Sequence, residues 1–207
     1  MVFLNDKIEF PDVSTASEEG ILAVGGDLST NRLILAYKCG IFPWFDDNQP
    51  IIWWSPDPRF VIFPEKIKVS KSMKQLLRNN KFKITVNQCF EKVIDNCSKI
   101  KRDGQKGTWI TEQMKLAYLK LHRQGLAKSV EVWQDNSLVG GLYGIDLNNG
   151  IFCGESMFTK VSNASKFGFI KFVQNSNYRL IDCQVYTNHL ASLGAEDIPR
   201  DEFLEFL

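Results

Sequence analysis

Phe152-Cys153-Gly154-Glu155-Ser156-Met157-Phe158 and, further on, Leu180-Ile181-Asp182-Cys183-Gln184-Val185 are short apolar runs broken by polar residues. Both read as strands. The segment between them reads as a helix through Phe167, Phe169, Ile170, Phe172 and Val173, which makes a βαβ unit with two parallel neighbouring strands. Side chains alternate along a strand, so Asp182 and Gln184 are expected on one face and Ile181, Cys183 and Val185 on the other. The same rule groups Cys153, Glu155 and Met157. If these faces meet at one crevice, the sheet carries two carboxylates and an amide beside an apolar neighbour. The competing reading is structural, with each carboxylate tied to a nearby Lys or backbone N–H.

Ser129–Trp133, a turn at Asp135-Asn136, and Leu138–Gly144 read as a hairpin, and Asn148-Asn149-Gly150 signals a second one into the Glu155 strand. Gly140, Gly141 and Gly144 inside one strand mark a bulge or a close approach to the backbone. Upstream, Ser29 caps a helix closed by Gly40, Ile51–Trp54 reads as a strand, and Ser55-Pro56-Asp57-Pro58-Arg59 as a rigid turn. Helices follow from Ser70 or Ser72 through Leu77, from Phe90 through Cys97, and from the Thr111 cap to Gly125, with a strand at Phe82–Val86. Lys101–Gly107 reads as a charged loop. Pro199 opens a short last helix.

The 207 residues, 44% of them hydrophobic, suit one large domain or a small one joined to a medium one with a real core. No signal-like n-region or long apolar run appears, so the expected location is the cytoplasm, with no membrane partner. Five cysteines, an odd number with no C-x-x-C, read as reduced core thiols. The net charge of +1 conceals an asymmetry: from Lys66 to Lys106 there are 12 Lys or Arg against Glu91, Asp95 and Asp103. Such a basic stretch suits a polyanion or is simply a pair of solvated helix faces. Three of the five tryptophans lie between Trp44 and Trp54, either as core or with one ring left open to stack on a base.

Phosphate-loop and dinucleotide glycine motifs are missing, and with only His122 and His189 a histidine metal cluster is not expected; no cofactor and no metal are implied. Gly154-Glu155-Ser156 starts like a nucleophile elbow, but Phe158 stands where the second glycine is needed, which weighs against a Ser156, His189, Asp182 triad. The strand and helix order from Ser129 onward is similar to the acyltransferase superfamily typified by histone-type N-acetyltransferases. The coenzyme A loop of that superfamily is replaced here by Thr159–Ala164.

Gly40–Phe45, Trp53–Arg59, Gly107–Thr111, Phe152–Phe158, Asn163–Lys166 and Leu180–Val185, in that order over nearly the whole chain, resemble the bacterial leucyl/phenylalanyl-tRNA protein transferases. Gly25–Leu28 and Ser192–Ala195 add to the likeness. The resemblance implies an α/β (α+β) protein with a small N-terminal domain, 1–62, packed on an acyltransferase-like (GNAT-like) domain with a mixed sheet, 63–207. It implies transfer of Leu or Phe, and less readily Met, from Leu-tRNA or Phe-tRNA to the N-terminal Arg or Lys of acceptor proteins. The product is marked for N-end rule degradation. Apart from the resemblance, the chain is expected to act as a monomer. By the same likeness, Asp182, Gln184 and Glu155 take the catalytic positions. Trp44 and Trp109 line an adenosine site with Tyr37 and Tyr118 close by, and Leu142, Phe152, Met157, Phe169 and Phe172 form the amino-acid pocket. Asp182 is expected to take a proton from the attacking amine, and Glu155 to hold the cationic acceptor side chain. Lys71, Lys74, Arg78, Lys81 and Lys83, from the most basic window, are expected to touch tRNA phosphates. An acetyl-CoA-dependent N-acetyltransferase and a non-catalytic RNA-binding module are the rival readings.

Overall fold

The computed structural model describes residues 2–79, 81–100 and 109–207. Its elements run β1 (Val2–Leu4), β2 (Ile21–Gly25), α1 (Thr30–Lys38), β3 (Phe42–Pro43), β4 (Ile52–Trp54), β5 (Arg59–Ile62), α2 (Lys71–Arg78), β6 (Lys83–Val86), α3 (Phe90–Ser98) and α4 (Glu112–Arg123). They continue with β7 (Ala127–Gln134), β8 (Ser137–Asp146), β9 (Ile151–Thr159), α5 (Ala164–Gln174), β10 (Leu180–Gln184), α6 (Asn188–Ala191), β11 (Glu196–Ile198) and α7 (Arg200–Leu204). The expected loop at Lys101–Gly107 lies outside the described residues, as do Gly107 and Thr108 of the Trp109 motif.

Local chemistry starts most helices. Side chains of Ser29, Ser70, Thr111 and Thr187 accept hydrogen bonds from the free N–H groups of the first turns of α1, α2, α4 and α6. Gly40 ends the α1 segment at φ +71°, where a Cβ would stand 2.8 Å from Leu204 of α7. The start of α5 differs: Asn163 occupies the cap in the left-handed region and makes no side-chain cap bond.

Two sheets result. The smaller has order β1-β2-β4-β3 and the larger, seven-stranded, β11-β5-β10-β9-β8-β7-β6. In the larger sheet only β9 and β10 run parallel, which makes it mixed. One face packs on α3, α4, α1 and the small sheet around Trp53, Tyr118 and Tyr143; the other packs on α5 and α2 around Phe82, Phe152 and Ile170. The protein is therefore a mixed α/β structure with mixed sheets. Arg59–Ile62 is an internal strand of the large sheet, between β10 and β11, although a boundary at residue 62 leaves it with the N-terminal part and the prolines suggest only a turn. A division by sheets falls before Arg59, because the backbone groups of β5 are satisfied by C-terminal strands.

Alternation breaks where the site forms. In the β8–β9 ladder Tyr143 pairs with Ser156 and Gly144 with Gly154, so Glu155 is the extra, unpaired residue of a bulge. Cys153 consequently packs with the α1, α3 and α4 face, while Met157 packs with the opposite, α5 face. The expected grouping of Cys153, Glu155 and Met157 on one face does not hold, because the bulge shifts the phase of the strand. On β10, Gln184 adopts φ +65°, and Val185 leaves Ile181 and Cys183 to pack with the opposite core.

Candidate active site

β9 and β10 stay paired only from Leu180↔Ile151 to Asp182↔Cys153. Beyond that point the bulge at Glu155 and the left-handed turn at Gln184 carry the strands apart, and a cavity of about 550 Å³ opens between them. Because it lies in the gap, side chains from both faces of the sheet reach it. Leu142, Phe152, Met157, Phe169, Ile181 and Cys183 supply an apolar wall on the α5 side. Phe42, Pro43 and Trp44 from the N-terminal part, with Trp109 ahead of α4, supply an aromatic wall. Trp44 is fixed by Trp54, whose Nε1–H donates to the Trp44 carbonyl at 2.7 Å and whose ring lies 5.4 Å from it, centroid to centroid. Gly140 lets α5 approach β8, since a Cβ there would stand 2.8 Å from Ala164; the close packing brings Ser165 and Phe169 to the cavity.

Glu155 is the polar centre of the wall and only 9% exposed. Its Oε1 accepts from Tyr37 Oη at 2.8 Å and from Gln184 Nε2 at 2.8 Å, and its Oε2 accepts from Tyr118 Oη at 2.8 Å. The two tyrosine hydroxyls also lie within hydrogen-bond distance of each other, and because each has one proton, all three contacts are filled at once only when the Glu155 carboxyl supplies a third. Burial raises the Glu155 carboxyl to about 7, against the opposing pull of the Tyr118 and Tyr37 hydrogen bonds and with a further push from the Asp182 charge. Burial, and next the charge on Glu155, drives both tyrosines well above their ordinary range, so they stay protonated donors.

Asp182 lines the cavity but is fully buried, and its oxygens are occupied. Arg59 grips it with Nε at 2.8 Å from Oδ1 and Nη2 at 2.7 Å from Oδ2, and the Gln184 N–H donates to Oδ1 at 2.9 Å. Both Asp182 oxygens are thus engaged by the Arg59 fork, and Oδ1 by the Gln184 N–H as well, so the geometry suits a positioning role for Asp182 better than the expected base role. On Glu155 three hydrogen bonds leave room for one further donor, at Oε2, which is enough for a single proton but not for the fork of a guanidinium. Nor is a Ser–His–Asp relay assembled: His189 Nε2 has no hydrogen-bond partner among the described residues.

The structure brings Glu155, Asp182, Gln184, Trp44, Trp109, Leu142, Phe152, Met157 and Phe169 to one cavity. Tyr37 and Tyr118 stand behind Glu155 rather than in the wall, 2% and 0% exposed, because their rings pack in the core and only their hydroxyls turn to its carboxylate. Phe172 also lies behind the wall, its ring 4.8 Å from Phe152 and 5.6 Å from Tyr178. Lys71, Lys74, Arg78, Lys81 and Lys83 are all exposed, on α2, β6 and the connection between them, and none makes an ion pair among the described residues. Sequence reasoning missed Arg59. The signal available was a lone Arg opening the apolar run Phe60-Val61-Ile62-Phe63.

Among the described residues no group of three or more His, Cys, Asp or Glu side chains could hold a metal ion, and no helix is long and apolar enough to cross a membrane.

The family described as leucyl/phenylalanyl-tRNA protein transferase matches residues 61–207, and its N-terminal domain matches residues 26–57. The chain belongs to this family. A leucyl/phenylalanyl-tRNA–protein transferase of Christiangramia forsetii is 59% identical over 211 residues, covering 100% of both chains. One from Flavobacterium johnsoniae is 58% identical over 210 residues, covering 100% of this chain and 99% of its own. One from Syntrophus aciditrophicus is 54% identical over 203 residues, covering 97% and 84%. Among solved structures the chain is similar to a GCN5-related N-acetyltransferase from Kribbella flavida at a TM-score of 0.39 and 10% identity, covering 78% of this chain and 58% of that one. A likeness that distant bears no functional weight. Family membership makes the protein an aminoacyltransferase.

Proposed function

We infer that this protein transfers Leu or Phe, and less readily Met, from aminoacyl-tRNA to the N-terminal Arg or Lys of an acceptor protein, at the cavity between β9 and β10. Glu155 accepts the proton released by the attacking amine. The product's new N-terminus marks it for N-end rule degradation, and the enzyme works in the cytoplasm as a monomer. The observation that carries the reading is the Glu155 carboxyl, raised to about 7 and held at the wall of a cavity that is apolar on one side and aromatic on the other.

The chemistry asks little of the protein beyond placement. The ester on tRNA is already activated, so a neutral α-amine forms the C–N bond at the carbonyl as the ester C–O bond breaks. The ribose oxygen leaves needing a proton that the nitrogen must lose. A carboxyl near 7 is matched to take the proton from nitrogen and return it to oxygen. Leu142, Phe152, Met157 and Phe169 suit an apolar side chain, Trp44 and Trp109 suit a terminal adenosine, and the exposed Lys71, Lys74, Arg78, Lys81 and Lys83 suit phosphates. Asp182 and Gln184 orient Glu155 rather than carry protons.

The test supplies labelled Phe-tRNA or labelled acetyl-CoA with an Arg-initiated peptide. Label from Phe-tRNA is expected on the peptide, with Glu155→Gln lowering the rate at saturating substrates by about 10²-fold. Label from acetyl-CoA, or an unimpaired Glu155→Gln enzyme, would overturn the assignment.

A further inference from the structure

Arg59 and Asp182 form an ion pair that is 1% and 0% exposed, joining the first residue of β5 to the middle of β10. Burying two charges is costly, and such a pair is seldom more stabilising than apolar side chains of equal volume. Its use must therefore lie in geometry. The guanidinium is held on every side: Nη1 donates to the Gly40 carbonyl at 3.2 Å, and its carbon lies 4.8 Å from the Phe42 ring centroid and 4.6 Å from that of Phe203. Gly40 and Phe42 belong to the N-terminal part and Phe203 to α7, so two separate segments fix one planar fork.

The fork in turn sets the plane of the Asp182 carboxylate, because two parallel N–H···O bonds leave it no freedom to rotate. With the plane fixed, Oδ1 faces the Gln184 N–H at 2.9 Å. Gln184 sits at φ +65°, a conformation that a side chain such as Gln adopts rarely without support. From that turn its Nε2 reaches Glu155 Oε1 at 2.8 Å. The contacts form one chain from Arg59 through Asp182 and Gln184 to Glu155.

We propose that Arg59 is a positioning residue for the transfer reaction, acting through Asp182 to hold the left-handed turn at Gln184 that orients the Glu155 carboxylate. The proposal rests on the reading of Glu155 as proton acceptor. It gives α7 a share in the chemistry through its clamp on Arg59, and gives the N-terminal part a second route to Glu155 besides the Tyr37 hydrogen bond.

The experiment uses the full chain with Arg59→Lys, Asp182→Asn and the two combined, measuring single-turnover transfer from Phe-tRNA to an Arg-initiated peptide and, separately, Phe-tRNA affinity. Each single variant is expected to slow transfer by about 10²-fold, the scale of a small misplacement of a reacting group, with Phe-tRNA affinity within about threefold of wild type. The double variant should fall no further than the slower single one, as for residues acting in series. Losses that multiply in the double variant, or a wild-type rate in Arg59→Lys, would overturn the proposal. Arg59→Met combined with Asp182→Leu keeps volume without a buried charge and covers failure of the singles to fold. It should melt near wild type, bind Phe-tRNA and transfer poorly, and a wild-type rate in it also overturns the idea. A normal rate in Glu155→Gln would instead remove the proton-acceptor reading, while the coupling of Arg59 to Asp182 is measured without altering Glu155.

Discussion

Gln184 Nε2 donates to Glu155 Oε1 at 2.8 Å across the gap between two strands that have ceased to pair. The bond replaces a backbone contact with a side-chain one. It leaves room for a substrate on either side while keeping the carboxylate in place. Tyr37 and Tyr118 complete the hold from the opposite core.

The first expectation concerns pH. Below about 7 Glu155 takes up a proton, and the acceptor amine, with a reference pKa of about 7.7–8.0, does so below its own value. The logarithm of kcat/KM for the peptide should therefore rise with a slope near 2 below pH 7 in wild type and near 1 in Glu155→Gln. Equal slopes in the two enzymes would remove Glu155 from proton transfer.

Linkage makes a second expectation, for stability. The Glu155 carboxyl is raised in the folded state, from 4.5 to about 7, so between these values the folded protein binds more protons than the unfolded chain. Stability should fall as pH rises through that window, and Glu155→Gln should be free of the fall. Relative to wild type, the variant gains on the order of 1–3 kcal/mol at pH 8 over its value at pH 4.5. Urea melts of both proteins at the two pH values read the difference; a constant offset would contradict it.

Tyr118→Phe removes a hydrogen bond that favours the Glu155 carboxylate, worth about 1.5–3 kcal/mol when the acceptor is charged. The acidic limb of the rate profile should move upward by about 1–2 pH units. A downward move would mean that Tyr118 does not act on Glu155 as a donor.

Met157→Ala enlarges the apolar wall next to Leu142, its cross-strand partner. Phe should be favoured over Leu by about 1–3 kcal/mol in competition between Phe-tRNA and Leu-tRNA. An unchanged ratio in a folded variant would take Met157 out of the amino-acid pocket.

Replacing Lys71, Lys74 and Arg78 together by Gln removes charge from the exposed side of α2. Each true phosphate contact should lower the slope of log affinity against log salt by about 0.7–0.9, with no change in the amino acid transferred. A wild-type slope for tRNA binding would move the phosphate contacts elsewhere.

Period-2 alternation, caps and glycine stops made the parallel pair of strands around α5, the ends of α1 and α4 and the exposed basic helix α2 legible in the sequence, because each depends on neighbours a few residues away. Glu155, Asp182 and Gln184 stood out as polar residues on strands for the same reason. What each carboxylate does was not legible. Alternation predicts facing only while strands pair one to one, and the extra residue at Glu155 and the left-handed Gln184 reset it. The partners that decide the chemistry lie far off in sequence: Tyr37 is 118 residues from Glu155, and Arg59 is 123 from Asp182. Burial beside those partners, which only the tertiary packing creates, separates two similar acids into a carboxyl near 7 and a carboxylate locked to a guanidinium.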